Sequence, residues 1–330
     1  MSSCVWTIKG GRAIDLAPFT VAGIVNVTPD SFSDGGLHFG YEKALAHSLD
    51  LLTQGARILD LGGESTRPGA QFVDEAEEKC RIVPLVRELD RLRLQDSART
   101  HIPAADNARS INGSPERAIP QANLLISVDT WRAGTSVASL EAGADIINDI
   151  SGSLFDPALP EVLATYKPGY ILGHCPAPPA TMQDAPHYEN VVEEVYAFFA
   201  RQMNLLVKAG LPENRIVLDP CPGFGKNLQH NLALMRNLAR LQQIGRPLCI
   251  AISRKTLIGN LLGLPARADN SATSPRDPAK QVAEPIAASP RDPATQVLTA
   301  LLYGQGACLH RVHDVAGAWN ALRLAQALQY

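Results

Sequence analysis

Residues able to do acid–base, ion-pairing or metal chemistry recur along this chain at intervals, each directly after a short apolar run. They are amides, carboxylates, basic residues and two histidines: Asn26, Glu64 to Arg67, Asp129, Asn148 and Asp149, His174, Asp219, Lys255, Arg311 and His313. A lone polar residue at a strand end is often structural. Recurrence after successive apolar runs instead favours one shared active site.

Three of these residues predict an anion pocket. Arg67, Arg311 and His313 are hydrogen-bond donors, and arginine offers a planar fork that matches phosphate oxygens. Solvated surface charge is the alternative for both arginines. Their position on neighbouring strand ends favours the functional interpretation.

Three others predict a polar slot on the opposite side of the same rim. Asp129, Asn148 and Asp219 suit an amide-rich heterocycle, because a carboxylate pairs with an N–H/NH₂ edge through two parallel hydrogen bonds. The alternative is that Asp129 or Asp219 caps the helix that follows.

Asn26 and Lys255 each allow more than one interpretation. The Asn26 amide oxygen is a ligand for a Mg²⁺ ion that also holds phosphate oxygens, or it caps the turn that follows. Lys255 is a Schiff-base nucleophile, a charge that hydrogen-bonds to substrate, or a surface lysine at a helix start.

The elements that must position these residues alternate between strand and helix. Helical patterns cover Tyr41 to Gln54, Asp74 to Leu94, Tyr188 to Ala209 and Leu228 to Gln242. The predicted strands are Val21 to Val27, Arg57 to Gly62, Leu124 to Asp129, Asp145 to Asp149, Tyr170 to His174, Ile216 to Asp219, Leu248 to Ser253 and Ala307 to His313. Eight such units predict an α/β fold, a (β/α)₈ TIM barrel with its site at the carboxyl ends of the strands. A doubly wound sheet is disfavoured because no G-x-G-x-x-G follows the first strand.

About 80 residues exceed the usual barrel length, and three segments account for them. Val5 to Ile8 and Arg12 to Leu16 predict an N-terminal β-hairpin over the barrel bottom. Loop insertions are predicted at about 96–121 and 264–294, within a single domain spanning 1–330. The second insertion holds a near repeat, SPRDPAKQV from Ser274 and SPRDPATQV from Ser289. In the second copy Ser289 is expected to cap a helix with Pro290 at its first position.

Composition excludes several classes of protein. The chain has 330 residues, 45% hydrophobic and 19% charged, with a net charge of −3, so neither general disorder nor a nucleic-acid-binding face is expected. No apolar run is long enough for a membrane span, and the start lacks a secretion signal. The six cysteines include no C-x-x-C pair. A cytoplasmic protein is therefore expected.

The order of the motifs resembles the dihydropteroate synthases, the pterin-binding barrel enzymes of folate synthesis. The matching motifs are GIVNVTPDSFSDGG from Gly23, LDLGGESTRPGA from Leu59, ISVDT from Ile126, GADIINDISG from Gly143, LDPCPGFGKN from Leu218, SRKTLIG from Ser253 and RVHDV from Arg311. The resemblance implies a transferase that joins 6-hydroxymethyl-7,8-dihydropterin diphosphate to 4-aminobenzoate, giving 7,8-dihydropteroate and diphosphate.

The resemblance also implies roles for residues. Asn26 would hold Mg²⁺, with Asp129, Lys255 and Arg67 central to catalysis. Diphosphate would contact Arg67, Arg311 and His313, and the pterin would contact Asp129, Asn148, Asp219 and Lys255. The aminobenzoate pocket would be formed by Phe32, Thr66, Pro68, Phe224 and Thr256, with Thr28 to Gly36 and Ser65 to Ala70 as closing loops. A homodimer formed by the late helices is expected, with no nucleic-acid or membrane partner.

This chemistry suits a division of charge across the rim. Breaking the carbon–oxygen bond leaves a cation on the pterin methylene, which Asp129 stabilises, and sends negative charge to the diphosphate. The two sets of residues are accordingly expected on opposite arcs of the barrel mouth.

Three departures from the family pattern concern the pterin pocket and the repeat. Cys221 and Pro222 replace a glycine and an aromatic residue, and Gly173-His174-Cys175 replaces Met-His-Met, which predicts a loss of apolar bulk from the pocket. The repeat replaces a shorter linker.

Two alternatives to the synthase function stay open. They are a methyltetrahydrofolate-type methyltransferase barrel, which needs no diphosphate pocket, and a pterin-binding paralogue without synthase activity.

Overall fold

The architecture is a barrel of parallel strands surrounded by helices. The computed structural model describes residues 4–27, 36–64, 72–100, 123–264 and 289–328. The strands in this part of the chain are β1 (Val5–Thr7), β2 (Ala13–Asp15), β3 (Thr20–Asn26), β4 (Ile58–Gly62), β5 (Leu125–Asp129), β6 (Ile146–Asp149), β7 (Gly169–Gly173), β8 (Ile216–Asp219), β9 (Cys249–Ile250) and β10 (Leu309–Val312). The α-helices are α1 (Gly36–Thr53), α2 (Glu75–Thr100), α3 (Ala133–Glu141), α4 (Leu159–Tyr166), α5 (Val191–Ala209), α6 (Leu228–Arg236), α7 (Leu238–Gln242), α8 (Thr256–Leu262), α9 (Asp292–Gly304) and α10 (Val315–Ala327).

Strands β3 to β10 form one closed sheet. Strands that are consecutive in the chain lie side by side, and β10 returns to pair in parallel with β3, Arg311 lying opposite Ala22. A parallel bridge between Leu218 and Leu248 joins β8 to the start of β9. Closure leaves no free edge, so the predicted (β/α)₈ barrel is confirmed.

Alternate residues along each strand face the barrel interior, because side chains alternate with a period of two. The layer at the amino ends is apolar and consists of Ala22, Ile58, Leu125, Ile146, Ile171, Val217, Cys249 and Leu309. The layer two residues further along includes Asp60, Ser127, Asn148, Asp219 and Arg311. Outward-facing residues such as Leu59, Ile126 and Leu218 pack against the helices in the main core. The barrel therefore has an apolar bottom and a polar mouth.

The N-terminal hairpin covers the bottom, as the sequence predicts. Strands β1 and β2 pair antiparallel, with Trp6 opposite Ile14. Both side chains are buried against the lower apolar layer, together with Ile8 and Leu16. The Trp6 indole N–H donates to the carbonyl oxygen of Arg215 at 2.7 Å, which ties the hairpin to the residue just before β8.

Two element boundaries differ from the predictions near the repeat. Strand β9 has two residues, because the chain turns after Ile252 instead of continuing to Ser253. Helix α9 begins at Asp292 and has no side-chain cap, so the predicted start at Pro290 with a Ser289 cap is wrong. The Ser289 hydroxyl accepts from Arg291 N at 3.3 Å, ahead of the helix, and the proline in the first turn is Pro293.

All six cysteines are free thiols. None of the helices within the described ranges is long and apolar enough to cross a membrane.

Candidate functional site

A small cleft, open to solvent, lies at the carboxyl ends of the strands, in the barrel mouth. Six predicted site residues line it: Asp129, Asn148, Asp219, Phe224, Lys255 and Arg311. Ile150, Cys221 and Ala251 complete the lining. Convergent polar groups with a few apolar faces are typical of a site for a small polar heterocycle.

An arginine at the centre of the cleft joins two carboxylates. Arg311 Nε donates to Asp60 at 2.5 Å and Nη2 donates to Asp129 at 2.6 Å. Asp60 also accepts from Ser127 Oγ at 2.5 Å and from Asn148 Nδ2 at 3.0 Å. Residues of β4, β5, β6 and β10 thus share one hydrogen-bonded network, which fixes their side-chain orientations.

The position of Arg311 corrects one expectation. The anion donors and the pterin residues were expected on opposite arcs, yet Arg311 crosses the mouth to contact Asp129. No described residue accepts a hydrogen bond from Nη1, the third nitrogen of Arg311. The guanidinium therefore both neutralises buried carboxylates and retains donors for an anion.

Burial and mutual charge shift the pKa values of Asp129 and Arg311. Removal from water raises the pKa of Asp129 to about 7, although the positive charge of Arg311 opposes the shift. Burial alone would lower the pKa of Arg311, but the carboxylates of Asp60 and Asp129 outweigh it and raise this pKa. Arg311 stays charged at all physiological pH values, whereas Asp129 changes its charge near neutrality.

Asp60 is the site residue that sequence reasoning missed. It is 1% exposed and lies in the middle of β4, whereas the predicted site residues lie at strand ends. One signal was available. In the run Ile58-Leu59-Asp60-Leu61-Gly62 a charged residue stands at an inward-facing position, where an unpaired charge would be costly, and a partner from another strand is therefore required.

Asp219 and Lys255 form the second charged group of the cleft. Burial raises the pKa of Asp219, and the positive charge of Lys255 opposes that shift. Burial also lowers the pKa of Lys255. The Lys255 ammonium donates to the carbonyl oxygen of Pro222 and lies 4.0 Å from the centre of the Phe224 ring. Lys255 is thus directed into the cleft, which contradicts the surface-lysine interpretation.

The helix-capping alternatives for the two aspartates are also wrong. Helix α3 follows Arg132, which provides no side-chain cap, and α6 is capped by Asn227. Asp219 instead accepts from the backbone N–H of Cys221 at 2.7 Å. This bond holds Cys221 in a left-handed conformation, with φ of 47°, at one of the positions where the sequence departs from the family pattern.

The second departure has a different consequence from the one expected. A Cβ at Gly173 would lie 2.6 Å from Ile150 Cα and 2.7 Å from Asp149 O, so backbone already occupies the space of a larger side chain. Cys175 packs beside Met182, the two sulfur atoms being 3.6 Å apart. Neighbouring residues therefore fill this side of the cleft, and the predicted loss of apolar bulk is wrong here.

Three residues predicted at the rim face elsewhere. Tyr170 OH and the Ser151 hydroxyl donate to the Asp149 carboxylate, which is fully buried behind the sheet. His174 packs edge-on against Phe198, with ring centroids 4.7 Å apart. Glu64 accepts from the backbone N–H of Val73 at 3.2 Å and pairs with Arg132 at 2.8 Å. Glu64 therefore joins the end of β4 to the residues just before α2.

The outer rim brings Asn26 close to Asp129. Gly62 lies between them: a Cβ atom added to this glycine would lie 3.9 Å from both Asn26 Oδ1 and Asp129 Oδ2. His313 Nδ1 lies 2.9 Å from the Ser253 hydroxyl, which orients the imidazole beside β10. Thr256 is exposed at the start of α8.

Four predicted site residues lie outside the described ranges: Phe32, Thr66, Arg67 and Pro68. The same holds for the predicted closing loops, apart from Gly36. Their roles stay predictions.

Comparison with known proteins agrees with this geometry. The pattern of the pterin binding enzyme family matches residues 22–99 and 116–313. A dihydropteroate synthase of Escherichia coli (strain K12) is 35% identical over 317 residues, which are 96% of this chain and 94% of that protein. The structure of the Xanthomonas albilineans dihydropteroate synthase with 4-aminobenzoic acid superposes with a TM-score of 0.75, at 35% identity and coverage of 99% and 98% of the two chains. The complex of the enzyme from that organism with 7,8-dihydropteroate gives a TM-score of 0.72, at 33% identity and 98% coverage of both chains.

Proposed function

Because the chain belongs to the dihydropteroate synthases of the pterin binding enzyme family, we propose that its barrel mouth joins 6-hydroxymethyl-7,8-dihydropterin diphosphate to 4-aminobenzoate. The products are 7,8-dihydropteroate and diphosphate. The observation that carries the assignment is the Asp60–Arg311–Asp129 network in the cleft, because it places a buried carboxylate and an anion donor 2.6 Å apart. The reaction separates charge and needs both.

The pterin ring binds between the two charged groups of the cleft. Its N–H/NH₂ edge pairs with a buried carboxylate, which Asp219 supplies, and the ammonium of Lys255 donates to a ring acceptor. The Asn148 side chain donates to Asp60, which fixes its orientation, and its amide offers a further hydrogen bond to the ring. The apolar surfaces of Ile150 and Phe224 cover the ring faces. The three polar groups and the two apolar surfaces together specify one orientation of the substrate methylene.

Charge separation accompanies the bond that breaks. The electron pair of the methylene carbon–oxygen bond leaves with the diphosphate, and the resulting cation is stabilised by ionised Asp129. Arg311 and His313, with Arg67, take up the growing negative charge on the diphosphate. The amine of 4-aminobenzoate then donates its lone pair to the methylene carbon and loses one proton. The exposed Thr256, next to Lys255, supports a contact with this second substrate, and Phe224, Phe32, Thr66 and Pro68 are proposed to complete its pocket.

Asn26 is the residue that would hold Mg²⁺. Among the described residues no group of three His, Cys, Asp or Glu could bind a metal, and Asn26 presents a hard amide oxygen at the exposed rim. This donor set fits Mg²⁺, which takes few protein ligands and many from substrate phosphates. When bound, the ion would neutralise charge on the departing diphosphate.

The last helices support a homodimer. Exposed apolar residues occur at a spacing of four on two helices that pack together: Val297 and Leu301 on α9, and Leu324 on α10 with Leu328 directly after its end. Each is between 59% and 85% exposed. A second copy of the chain would cover both stripes through one two-fold contact. Sedimentation of wild type and of Leu301→Glu tests the contact: a dimer is expected for the former and a monomer for the latter.

A diphosphate-release assay tests the activity. With Mg²⁺ and the pterin diphosphate, release is expected to depend on 4-aminobenzoate and to match dihydropteroate formation one to one. Binding of the pterin diphosphate is measured in parallel by calorimetry. A paralogue without synthase activity would bind this substrate but release no diphosphate. Methyl transfer from methyltetrahydrofolate without diphosphate release would instead identify the methyltransferase.

A further inference from the structure

The turn between β9 and α8 carries an unusual residue. Arg254 has a φ of 58°, a left-handed conformation that is unfavourable for a residue with a side chain. It stands between two site residues: Ser253, whose hydroxyl contacts His313, and Lys255, which reaches Phe224. A left-handed residue here needs support from elsewhere in the fold.

One short segment supplies that support. Asp292 accepts two hydrogen bonds of 2.7 Å from the Arg254 guanidinium, one to each carboxylate oxygen. Thr295 Oγ1 accepts from the Arg254 backbone N–H at 3.2 Å, and Arg291 Nη1 donates to its carbonyl oxygen at 3.1 Å. Within the described part of the chain, the hydrogen bonds to the backbone and the side chain of Arg254 come from residues 291–295. Both members of the ion pair are about nine-tenths buried.

The segment is the second copy of the near repeat. Ser274 to Ala279 and Ser289 to Ala294 have the same six residues, so each copy offers an aspartate, Asp277 or Asp292. The copies differ at the next position, which is Lys280 in the first copy and Thr295 in the second. Lysine has no acceptor for the Arg254 backbone N–H. Only the second copy can make the complete set of contacts.

We propose that Asp292 and Thr295 are positioning residues for Lys255. They hold Arg254 in its left-handed conformation, which directs the next side chain across Phe224 and into the pterin cleft. The inference rests on the proposed role of Lys255 in binding the pterin ring. An enzyme that lost these contacts would keep its barrel but bind the pterin with a displaced ammonium group.

Calorimetric binding of 6-hydroxymethyl-7,8-dihydropterin diphosphate, with Mg²⁺ and without 4-aminobenzoate, tests the proposal. Asp292→Asn is expected to raise the dissociation constant about tenfold, because small misplacements of a binding group have large effects. Lys255→Met is expected to raise it by at least as much. The double variant is expected to bind no more weakly than Lys255→Met alone, because the two residues act through one group.

Three controls separate positioning from general damage to the fold. Asp277→Asn makes the same change in the same six-residue context and is expected to bind like wild type. Asp90→Asn removes a partner of Arg93 on α2, remote from the cleft, and is expected to lower the melting temperature without changing the dissociation constant. Thr295→Val loses the acceptor and is expected to weaken binding, whereas Thr295→Ser keeps it and restores affinity.

Normal pterin affinity in Asp292→Asn, with weakened affinity in Lys255→Met, would overturn the positioning inference and leave the role of Lys255 intact. Additive losses in the double variant, or equal losses in Asp277→Asn and Asp292→Asn, would also overturn it. Unchanged affinity in Lys255→Met would refute both that role and the inference that rests on it.

Discussion

The bottom and the mouth of the barrel are built from the same strands but differ in the side chains that fill their interior. At the bottom, Ile58, Ile146 and Leu309 face inward and pack with the N-terminal hairpin. Two residues further along the same strands, the inward positions are Asp60, Asn148 and Arg311, and they bond to one another. Two residues span only about 6.6 Å of strand. The change from apolar to charged interior occurs within one side-chain layer.

This difference separates stability from chemistry. Apolar burial at the bottom stabilises the fold without directional requirements, whereas the charges at the mouth are tolerated only while each has its partner. Changes at the mouth should therefore affect activity and stability together, while changes at the bottom should affect stability alone.

Removal of the central arginine is expected to have the largest effect. Arg311→Met leaves Asp60 and Asp129 buried without a cation, so unfolding free energy should fall by about 3–5 kcal/mol. Loss of the anion donor should lower kcat/KM about 100-fold or more. Urea denaturation and the diphosphate assay measure the two effects. A variant that stays fully active would show that the network is not part of the site.

A change at the bottom of the barrel should lower stability and leave activity nearly unchanged. Trp6 is fully buried, so Trp6→Ala should lower the free energy of unfolding by about 3–5 kcal/mol through the cavity that it leaves. Below the melting temperature, kcat/KM of the folded enzyme should stay within about twofold of wild type. A large loss of kcat/KM in fully folded protein would show that the two regions are coupled.

The pH dependence of activity sharpens the assignment of Asp129. Its raised pKa of about 7 means that acid protonates the carboxylate that must face the cation. At pH values below that pKa, kcat/KM should fall about tenfold per pH unit. In Asp129→Asn the remaining activity should lose this slope. If the slope persists in the variant, it belongs to the substrate diphosphate or to another residue.

The smallest effect is expected for removal of the first repeat copy. Excision of 274–288 keeps every residue that contacts Arg254 and changes loop-closure entropy by less than about 1 kcal/mol. Melting temperature and kcat/KM should both stay close to wild type. Loss of soluble, active enzyme would show that the first copy packs against the fold.

Prediction from sequence succeeded where local pattern and spacing sufficed. Short β-rich runs, each followed by a helical pattern, identified the eight barrel strands. Polar residues recurring after these runs identified the cleft residues Asp129, Asn148, Asp219, Lys255 and Arg311, and the family motifs added Phe224. It failed where the partner lies on a distant segment. Asp60 was missed because its partner Arg311 is 251 residues away in the chain, and His174 was misplaced because strand-end residues face both sides of the sheet.

Local patterns also did not identify the partner of the second repeat copy. The helical pattern after Ala294 marked that copy as the structured one, but only the folded chain shows that its Asp292 binds Arg254. The expected emptier pocket at Gly173 was wrong for a related reason. Residue size predicts free volume only when the backbone path is known, and the backbone of Ile150 occupies that space.

The amino-acid sequence by itself determined the alternation of strands and helices, the kinds of functional group available and the resemblance to pterin-binding barrels, because these depend on local periodicity and residue type. The tertiary structure alone decided which charges meet. Closure of the barrel places Arg311 against Asp60 and Asp129, and the packing of α9 against the β9–α8 turn assigns Asp292 to Arg254. Ion pairs and pKa shifts depend on distances of a few ångströms between residues far apart in the chain, and only the folded backbone sets those distances.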